Sequence, residues 1–288
     1  MNIHVDAAAF TYFEVKPLSP QIGAELSGIK LAGDLPDEAI AEIRRALLDH
    51  KVVFFRDQNE LTAREHIAFA RRFGELEIHP ATPKGQPDPE ILRITHDENS
   101  KGRENAWHSD VTWRPEPSLG SILRAIEVPP VGGDTLFSCM YAAYEALSLE
   151  MKAFVAGLTA VHDITRVFAG RLNKSVEELR AQYPLQEHPV VRTHPETGRR
   201  SLYVNTAFTD HIVGHSKRES DWLLEHLYSF AAIPEHQCRF RWEAGSVAFW
   251  DNRACQHYAA SDYFPQKRVM ERVTICGDRP YFDPMKLA

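Results

Sequence analysis

A histidine and an aspartate two residues apart, His108 and Asp110, are the side chains of this sequence best suited to chemistry. In an extended strand, residues i and i+2 point to the same side, so both could reach one metal ion. One further imidazole would complete a set of two histidines and one carboxylate. Such a set holds one face of an octahedral Fe(II) ion and leaves three positions open.

The pair alone is a weak signal, because short His-x-Asp patterns also arise by chance. A second one occurs at His4 and Asp6, near the start of the chain, where a functional site is less expected. The alternative for either pair is a surface histidine beside an aspartate that caps a helix or a turn. Further residues are therefore needed to support a metal site.

Composition indicates a globular enzyme and gives no reason to expect nucleic acid or membrane as a partner. The 288 residues are 43% hydrophobic and 25% charged, with a net charge of −7. No apolar run approaches the roughly 18 residues that a membrane helix needs. The four cysteines contain no Cys-x-x-Cys pattern, which argues against a structural zinc site or a disulfide framework. Because no secretory signal is recognisable, a cytoplasmic location is expected.

The pattern of apolar residues predicts many short strands with a few helices. Thr62 and Ser216 each precede a glutamate by three residues and should begin helices with capping boxes. A helical stretch is predicted across about 140–182, inserted between strands. Strands are predicted at 51–55, 91–95, 119–128, 189–193, 201–204, 237–242, 246–250 and 267–277. This order predicts a single domain over residues 1–288, mainly β, as a sandwich or jelly roll with covering helices.

Several motifs occur in one order along the chain, and together they carry a resemblance that none carries alone. The His108/Asp110 pair is followed by Gly132-Gly133-Asp134-Thr135, Val190-Val-Arg-Thr-His-Pro, Trp250-Asp251-Asn252-Arg253, His257, Tyr263-x-Pro-Gln, Arg268 and Arg272. From about Val52 to Tyr281, the sequence resembles the TauD/TfdA family of Fe(II)- and 2-oxoglutarate-dependent dioxygenases, particularly its taurine-type branch.

The resemblance implies a double-stranded β-helix of the cupin-like jelly-roll type, with Fe(II), 2-oxoglutarate and O2 as reactants. It assigns metal ligation to His108, Asp110 and His257, which would also make them the catalytic residues. Without the resemblance, His257 is one of fourteen histidines, in a polar loop between strands. Family members often form dimers or tetramers, so a homo-oligomer is expected.

The resemblance also assigns Thr135 and Arg268 to the far carboxylate of 2-oxoglutarate. Arg272 would lie near the metal-side carboxylate and the anionic group of the substrate. A strand over 267–275 would place both arginines on one face, about 13 Å apart. Their planar guanidinium groups can each bind a carboxylate with two hydrogen bonds. The alternative is that both are ordinary strand residues that face solvent.

Substrate residues follow from the same branch. His79 matches a histidine that contacts a sulfonate, although a loop histidine before a proline is the alternative. Val111 and Phe208 match apolar positions of the pocket. Thr82 replaces a tyrosine of the taurine enzyme, which should enlarge the pocket. Where that enzyme has an asparagine, this chain has Glu104, with Asn105 next to it, so either could line the pocket.

These assignments predict a small anionic substrate. The leading hypothesis is hydroxylation of the carbon next to the sulfonate of taurine or a related alkylsulfonate, releasing sulfite and an aldehyde with succinate and CO2. The alternatives are an alkyl sulfate ester dioxygenase and a carboxylate-directed oxygenase of the TfdA type. A binding protein without turnover and a zinc hydrolase fit less well. Trp107 and Trp250 are expected to pack, and Asp251 and Asn252 to make hydrogen bonds rather than bind metal.

Overall fold

The computed structural model describes residues 10–102, 104–170 and 172–286, so His4 and Asp6 lie outside the described residues. Its strands are β1 Glu14–Pro17, β2 Ala24–Ser27, β3 Val52–Phe55, β4 Leu76–Glu77, β5 Ile91–His96, β6 Gly120–Glu127, β7 Thr135–Cys139, β8 Thr159–His162, β9 Gln186–Pro189, β10 Val191–Thr193, β11 Arg200–Leu202, β12 Thr209–Ile212, β13 Gln237–Phe240, β14 Val247–Asp251, β15 Cys255–Ala259 and β16 Arg268–Ile275. Its helices are α1 Asp37–His50, α2 Ala63–Arg71, α3 Met140–Glu145, α4 Leu149–Val155, α5 Thr165–Phe168, α6 Val176–Gln182 and α7 Lys217–Ser229.

Two sheets form the centre of the molecule. The larger one has the order β1-β2-β3-β14-β6-β16-β4, and β5 also pairs with β16. The smaller one has the order β13-β7-β15. Buried side chains from both sheets, among them Phe54, Phe137, Phe240 and Met270, form one apolar cluster between them. This is the predicted β-rich architecture of two packed sheets with covering helices.

Helices α1 and α2 cover the outer face of the larger sheet. Ile43 and Ile67 from these helices join Val53, Phe249 and Val273 from the sheet in a second buried cluster. Alternate residues of the central strands therefore pack into one cluster or the other, as expected for a sheet that is covered on both faces.

Both predicted capping boxes are present and explain where two helices begin. The Thr62 hydroxyl accepts a hydrogen bond from the Glu65 amide, and the Glu65 carboxylate accepts one from the Thr62 amide. Ser216 and Glu219 make the same reciprocal pair at the start of α7. These bonds satisfy backbone N–H groups that have no partner within a helix.

The stretch predicted to be helical over about 140–182 does carry helices, but the prediction missed a strand within it. The segment contains four short helices, α3 to α6, and is interrupted by strand β8. Gly157, at φ 79, ends the turn before β8, which then pairs with both β9 and β12. Pairing with two neighbours favours the extended form of Thr-Ala-Val-His over a helix. Among the described helices, none is both long and apolar enough to cross a lipid bilayer.

The predicted strand 189–193 is divided between two sheets. Strand β9 ends at Pro189, and β10 begins at Val191. Val190 lies between them, where its N–H donates to the carbonyl of Leu158 and its carbonyl accepts from Tyr203 N–H, both at 2.8 Å. The single apolar run therefore pairs in two directions.

Candidate metal centre

His108, Asp110 and His257 meet at one place. One possible ligand atom from each lies within 4.8 Å of the others. The Nε2 atoms of His108 and His257 are each 3.9 Å from Oδ1 of Asp110. Asp110 and His257 are only 4% and 7% exposed, so water competes little for these atoms. Two imidazole nitrogens and one carboxylate oxygen in this arrangement could hold one ion, and the donor set suits Fe(II).

The backbone brings the histidines together in a way that the sequence did not predict. The segment around His108 and Asp110 is not a strand: His108 forms an isolated bridge with His257, and Asp110 begins a turn. The two histidines exchange backbone hydrogen bonds of 3.1 and 2.8 Å. His257 does not lie in a polar loop but in β15, which pairs with β7.

Hydrogen bonds, burial and charge act on the three side chains. Nδ1 of His108 donates to the carbonyl of Ala106 at 2.8 Å, so in the neutral ring Nε2 is the nitrogen with the free lone pair. Burial holds the pKa of His257 well below its usual value, so its ring is neutral. Burial alone would raise the pKa of Asp110, but the guanidinium of Arg272 and the hydrogen bond from Ser121 lower it below its ordinary range. Neutral imidazoles and an ionised carboxylate are the forms that bind a metal.

A cavity of about 50 Å³ lies beside the two histidines, and it has a cationic wall. Arg268 lines it and is 5% exposed, yet its Nε and Nη2 find no hydrogen-bond partner among the described residues. The Thr135 hydroxyl lines it too and accepts a hydrogen bond from the indole of Trp242 at 2.9 Å. Because an indole only donates, the hydroxyl proton of Thr135 remains free for a ligand oxygen.

Gly133 has no side chain, and this leaves space for the side chain of Arg268. Gly133 has φ 72, and a Cβ at this position would be 3.3 Å from Cδ and Nε of Arg268. Its left-handed conformation and the close approach both disfavour any residue with a side chain. The Gly-Gly turn after β6 therefore shapes the cavity wall.

Arg272 joins the cavity to the triad. It lies on β16 with Arg268, lines the same cavity, and its Nη1 donates to Oδ1 of Asp110 at 2.7 Å. Its Nε atom has no partner among the described residues. The structure therefore brings Thr135, Arg268 and Arg272 together with the triad; their roles as ligand-binding groups stay predictions.

His79, predicted to bind substrate, is buried and close enough to Arg272 to feel its charge. Burial and the Arg272 guanidinium lower the pKa of His79 to about 3, so the ring is neutral at physiological pH. Its Nδ1 accepts a hydrogen bond from Ala81 N–H at 3.1 Å, which places the ring proton on Nε2. His79 can therefore donate one hydrogen bond from a neutral ring.

An apolar wall accompanies His79. The Phe208 ring lies 6.2 Å from the ring of His108 and stacks at 6.5 Å on Phe168, whose ring is 5.8 Å from His79. Val111 and Phe208 belong to one buried cluster, against which Phe168 packs. The structure therefore places Val111 and Phe208 beside the metal centre, in an apolar environment.

Three other residues were predicted to line the substrate pocket: Glu104, Asn105 and Thr82. Glu104 lines the cavity with Arg268, and its carboxylate is 3.1 Å from Nε2 of His96, whereas Asn105 is exposed. Of the two candidates, Glu104 thus faces the cavity, on the side of the predicted 2-oxoglutarate residues. Thr82 donates its N–H to the His79 carbonyl at 2.9 Å, and its buried hydroxyl has no partner among the described residues.

Two residues of the site were missed at the level of sequence. Ser121, on β6, donates its hydroxyl to Oδ2 of Asp110 at 2.8 Å. A polar residue within the apolar strand Gly-Ser-Ile-Leu was a signal that could have found it. Phe168, on α5, offers no such signal, because only tertiary packing brings this short helix to His79.

Comparison with known proteins gives a consistent picture. Residues 14–274 match the family described as taurine catabolism dioxygenase TauD, TfdA family. The chain is 38% identical to an alkylsulfatase of Acinetobacter baylyi, over 92% of this chain and 85% of that protein. It is 37% identical to an alpha-ketoglutarate-dependent sulfate ester dioxygenase of Pseudomonas putida, over 93% and 90% of the two chains.

A solved structure described as a taurine dioxygenase from Burkholderia xenovorans superposes with a TM-score of 0.82 at 44% identity, covering 94% of this chain and 92% of that one. The similarity extends over both sheets, and it confirms the predicted jelly-roll fold. With the family match and the converging triad, it leads to one conclusion: the chain belongs to the TauD/TfdA family and is an enzyme of the 2-oxoglutarate-dependent dioxygenase class.

Proposed function

We propose that this enzyme oxidises the carbon bonded to the ester oxygen of an aliphatic sulfate ester, releasing sulfate and an aldehyde with succinate and CO2. The observation that carries the proposal is the pairing of a neutral hydrogen-bond donor, His79, and a cation, Arg272, with an apolar wall at the metal centre. An oxyanion head group and a hydrocarbon arm match these two parts. Alkylsulfonates are the second candidate.

In this proposal His108, Asp110 and His257 hold Fe(II). When bound, Fe(II) with 2-oxoglutarate and O2 supplies the oxidising chemistry. Arg268 and Thr135 bind the far carboxylate of 2-oxoglutarate, since both offer unused donors to the cavity beside the triad. The protein residues thus hold and orient the reactants and exclude water from a buried site.

The substrate head group is assigned to His79 and Arg272. Nε2–H of His79 and the unpartnered Nε of Arg272 can each donate to a sulfo oxygen. A charge-assisted bond from a guanidinium is about twice as strong as a neutral one, so Arg272 would anchor the anion. The neutral His79 would then fix its orientation.

The apolar wall favours a hydrocarbon arm over the aminoethyl group of taurine. Phe168, Phe208 and Val111 can each contact an alkyl chain, and every buried methylene stabilises the complex by about 0.8 kcal/mol. An ammonium group against the same wall would lose its hydration. The similarity to two sulfate ester enzymes supports the same choice.

The reaction balances in two steps. Hydroxylation transfers one oxygen atom of O2 to the carbon of R–CH2–O–SO3⁻, and the other oxygen atom enters succinate as 2-oxoglutarate loses CO2. The hydroxylated carbon then forms its C=O bond, and the C–O bond to sulfate breaks. The electron pair leaves with sulfate, and the hydroxyl proton passes to solvent.

A matched panel tests the proposal. Purified enzyme with Fe(II) and 2-oxoglutarate is given hexyl sulfate, hexanesulfonate, taurine or heptanoate, and succinate, sulfate and sulfite are measured. We expect the highest kcat/KM with hexyl sulfate, with one sulfate per succinate. Preferred turnover of heptanoate would contradict a sulfo-directed pocket, and preferred turnover of taurine would contradict the role of the apolar wall.

Two further expectations stay predictions. A homo-oligomer, dimer or tetramer, should be seen by light scattering of the purified protein. A cytoplasmic location should be seen when cells that express the chain are fractionated.

A further inference from the structure

The carboxylate of Asp110 has no strand to hold it. Asp110 begins a turn, and the following Val111 has φ 48. This left-handed conformation is a genuine outlier for a β-branched residue, and it persists only where surrounding contacts enforce it. Contacts from outside the segment must therefore fix the position of Asp110.

The side chain of Asn252 provides such contacts. Asn252 is 1% exposed and lies in the turn after β14. Its Oδ1 accepts from the backbone N–H of Asp110 at 3.1 Å and from the indole of Trp250 at 2.9 Å. Its Nδ2 donates to the hydroxyls of Ser118 at 2.8 Å and Ser121 at 3.4 Å. All the hydrogen-bonding capacity of the amide is used.

The orientation of this amide is determined by its partners. A backbone N–H and an indole N–H can only donate, so the atom that faces them must be the amide oxygen. The nitrogen consequently faces Ser118 and Ser121. A flipped Asn252 would set two pairs of donors against each other, so only one arrangement satisfies this buried network.

Ser121 extends the network to the carboxylate itself. Its hydroxyl accepts from Asn252 Nδ2 and donates to Oδ2 of Asp110 at 2.8 Å. The amide, the hydroxyl and the carboxylate thus form a directed chain, in which each bond polarises the next. Oδ2 is held by this chain, while Oδ1 is the oxygen that faces the two imidazoles.

Asn252 also reaches the second ligand-bearing segment. The indole of Trp250 is fixed by its bond to Oδ1 of Asn252, and its ring centroid lies 4.8 Å from the ring of His257. His257 Nδ1 has no hydrogen-bond partner among the described residues, so packing rather than hydrogen bonding orients this ring.

We propose that Asn252 is a positioning residue of the metal centre: through Ser121 it fixes the carboxylate of Asp110, and through Trp250 it fixes the ring of His257. The inference rests on the proposed function, because it requires that Asp110 and His257 bind the ion. If Asn252 only satisfied buried backbone groups, its loss would lower stability without changing metal affinity. The proposal requires that metal affinity falls as well.

The test measures Mn(II) affinity of the metal-free, full-length protein by electron paramagnetic resonance, without 2-oxoglutarate or substrate. Mn(II) accepts the same hard donors and is not oxidised during the titration. Ser121→Ala should raise the dissociation constant about 10-fold and Asn252→Ala about 100-fold, the range seen when partners of metal ligands are removed. Ser118→Ala, which touches only the amide, should have a smaller effect than Ser121→Ala.

Ser220→Ala is the matched control. Ser220 is a fully buried serine on α7 whose hydroxyl accepts a backbone hydrogen bond from Ile212 at 2.8 Å, a residue outside the network of Asn252 and Asp110. It should lower the melting temperature of the metal-free protein, as Ser121→Ala does, without changing Mn(II) affinity. A purely structural role of the network predicts the same behaviour for both serines.

The outcomes are distinct. Mn(II) affinity of Ser121→Ala within twofold of the wild type would overturn the inference, and this variant decides alone if Asn252→Ala does not fold. If the wild-type protein binds neither Mn(II) nor Fe(II), the proposed metal centre fails, and the inference falls with it.

Discussion

The metal centre and the cavity beside it differ in how fully their buried charged groups are hydrogen-bonded. Both carboxylate oxygens of Asp110 are paired, Oδ1 with Arg272 at 2.7 Å and Oδ2 with Ser121 at 2.8 Å. Arg268, at 5% exposure, leaves Nε and Nη2 without partners among the described residues. Both oxygens of Asp110 are thus satisfied by the fold, whereas two nitrogens of Arg268 keep donors that could bind an anion.

This difference shows where the fold gives up stability for binding. A buried polar group without a partner costs about 1–3 kcal/mol, and more when it is charged. A ligand that supplies the missing partner removes this cost. Donors that are already in position also lose little conformational freedom when the ligand binds, which favours binding. Substitution on the two sides should therefore have different consequences for the ligand-free protein.

The largest effect is expected for Asp110→Ala. It removes one of three predicted ligands and leaves the largely buried guanidinium of Arg272, 11% exposed, without its partner, so it should abolish metal binding and lower stability by about 3 kcal/mol. Anaerobic addition of Fe(II) and 2-oxoglutarate, followed by visible absorption, should show the charge-transfer band in the wild type only. Turnover by this variant at the wild-type rate would show that Asp110 is not a ligand of the metal.

Arg268→Met should show the opposite balance. The variant loses two charged donors to 2-oxoglutarate, which should raise the KM for 2-oxoglutarate about 100-fold. Because it also removes a buried cation of which Nε and Nη2 have no hydrogen-bond partner among the described residues, the melting temperature of the ligand-free protein should stay the same or rise. Steady-state kinetics and thermal denaturation measure the two effects.

Arg241→Met serves as the control for Arg268→Met, since Arg241 is exposed and donates to the carbonyl of Pro130. It should leave the KM for 2-oxoglutarate unchanged. A lower melting temperature of Arg268→Met with an unchanged KM would show that Arg268 is structural, and the contrast with Asp110 would disappear.

The sequence predicted best what is local. The capping boxes at Thr62 and Ser216 depend on side chains three residues apart, and both are present. The close spacing of His108 and Asp110 singled them out, although a turn rather than a strand brings them together. In that case two residues that do converge with His257 were chosen, but with the wrong local structure.

What depends on tertiary packing was beyond the sequence. His257 required the family resemblance, because a strand with the letters Cys-Gln-His-Tyr-Ala has no strong apolar alternation, and its pairing with β7 is non-local. No pattern in the sequence indicated that Phe168 would form part of the apolar wall. The exposed position of Asn105, and the contact of Glu104 with His96, likewise follow from how a loop packs.

His79→Ala tests the substrate side with a smaller expected effect. Loss of one neutral hydrogen bond, worth about 0.5–1.5 kcal/mol, should raise the KM for hexyl sulfate up to about 10-fold. The KM for 2-oxoglutarate should not change, because His79 does not line the cavity with Arg268. Equal changes in both constants would indicate a general disturbance of the site.

The pH profile separates a neutral His79 from a cationic one. Since burial depresses its pKa to about 3, the ring stays neutral as pH falls from 8 to 5, and His79 contributes no change to kcat/KM for hexyl sulfate in that range. A cationic His79 with an ordinary pKa near 6.5 would make kcat/KM fall about tenfold per pH unit above that value. Comparison of wild type with His79→Ala isolates this contribution.

The smallest effect, and the most specific, is expected for Phe168→Ala. Phe168 touches the site through its ring alone, stacked on Phe208 and beside His79, so its removal should leave metal and 2-oxoglutarate binding intact. It should lower kcat/KM for hexyl sulfate about fivefold, since one or two methylenes lose a contact worth about 0.8 kcal/mol each. Ethyl sulfate, too short to reach the ring, should be turned over by this variant as fast as by the wild type.

Phe154→Ala, which removes a half-exposed ring on α4, is the control and should leave kcat/KM unchanged for both ethyl and hexyl sulfate. An equal loss for ethyl and hexyl sulfate would mean that Phe168 supports the site without contacting the chain, and the helical segment would then have no part in substrate choice.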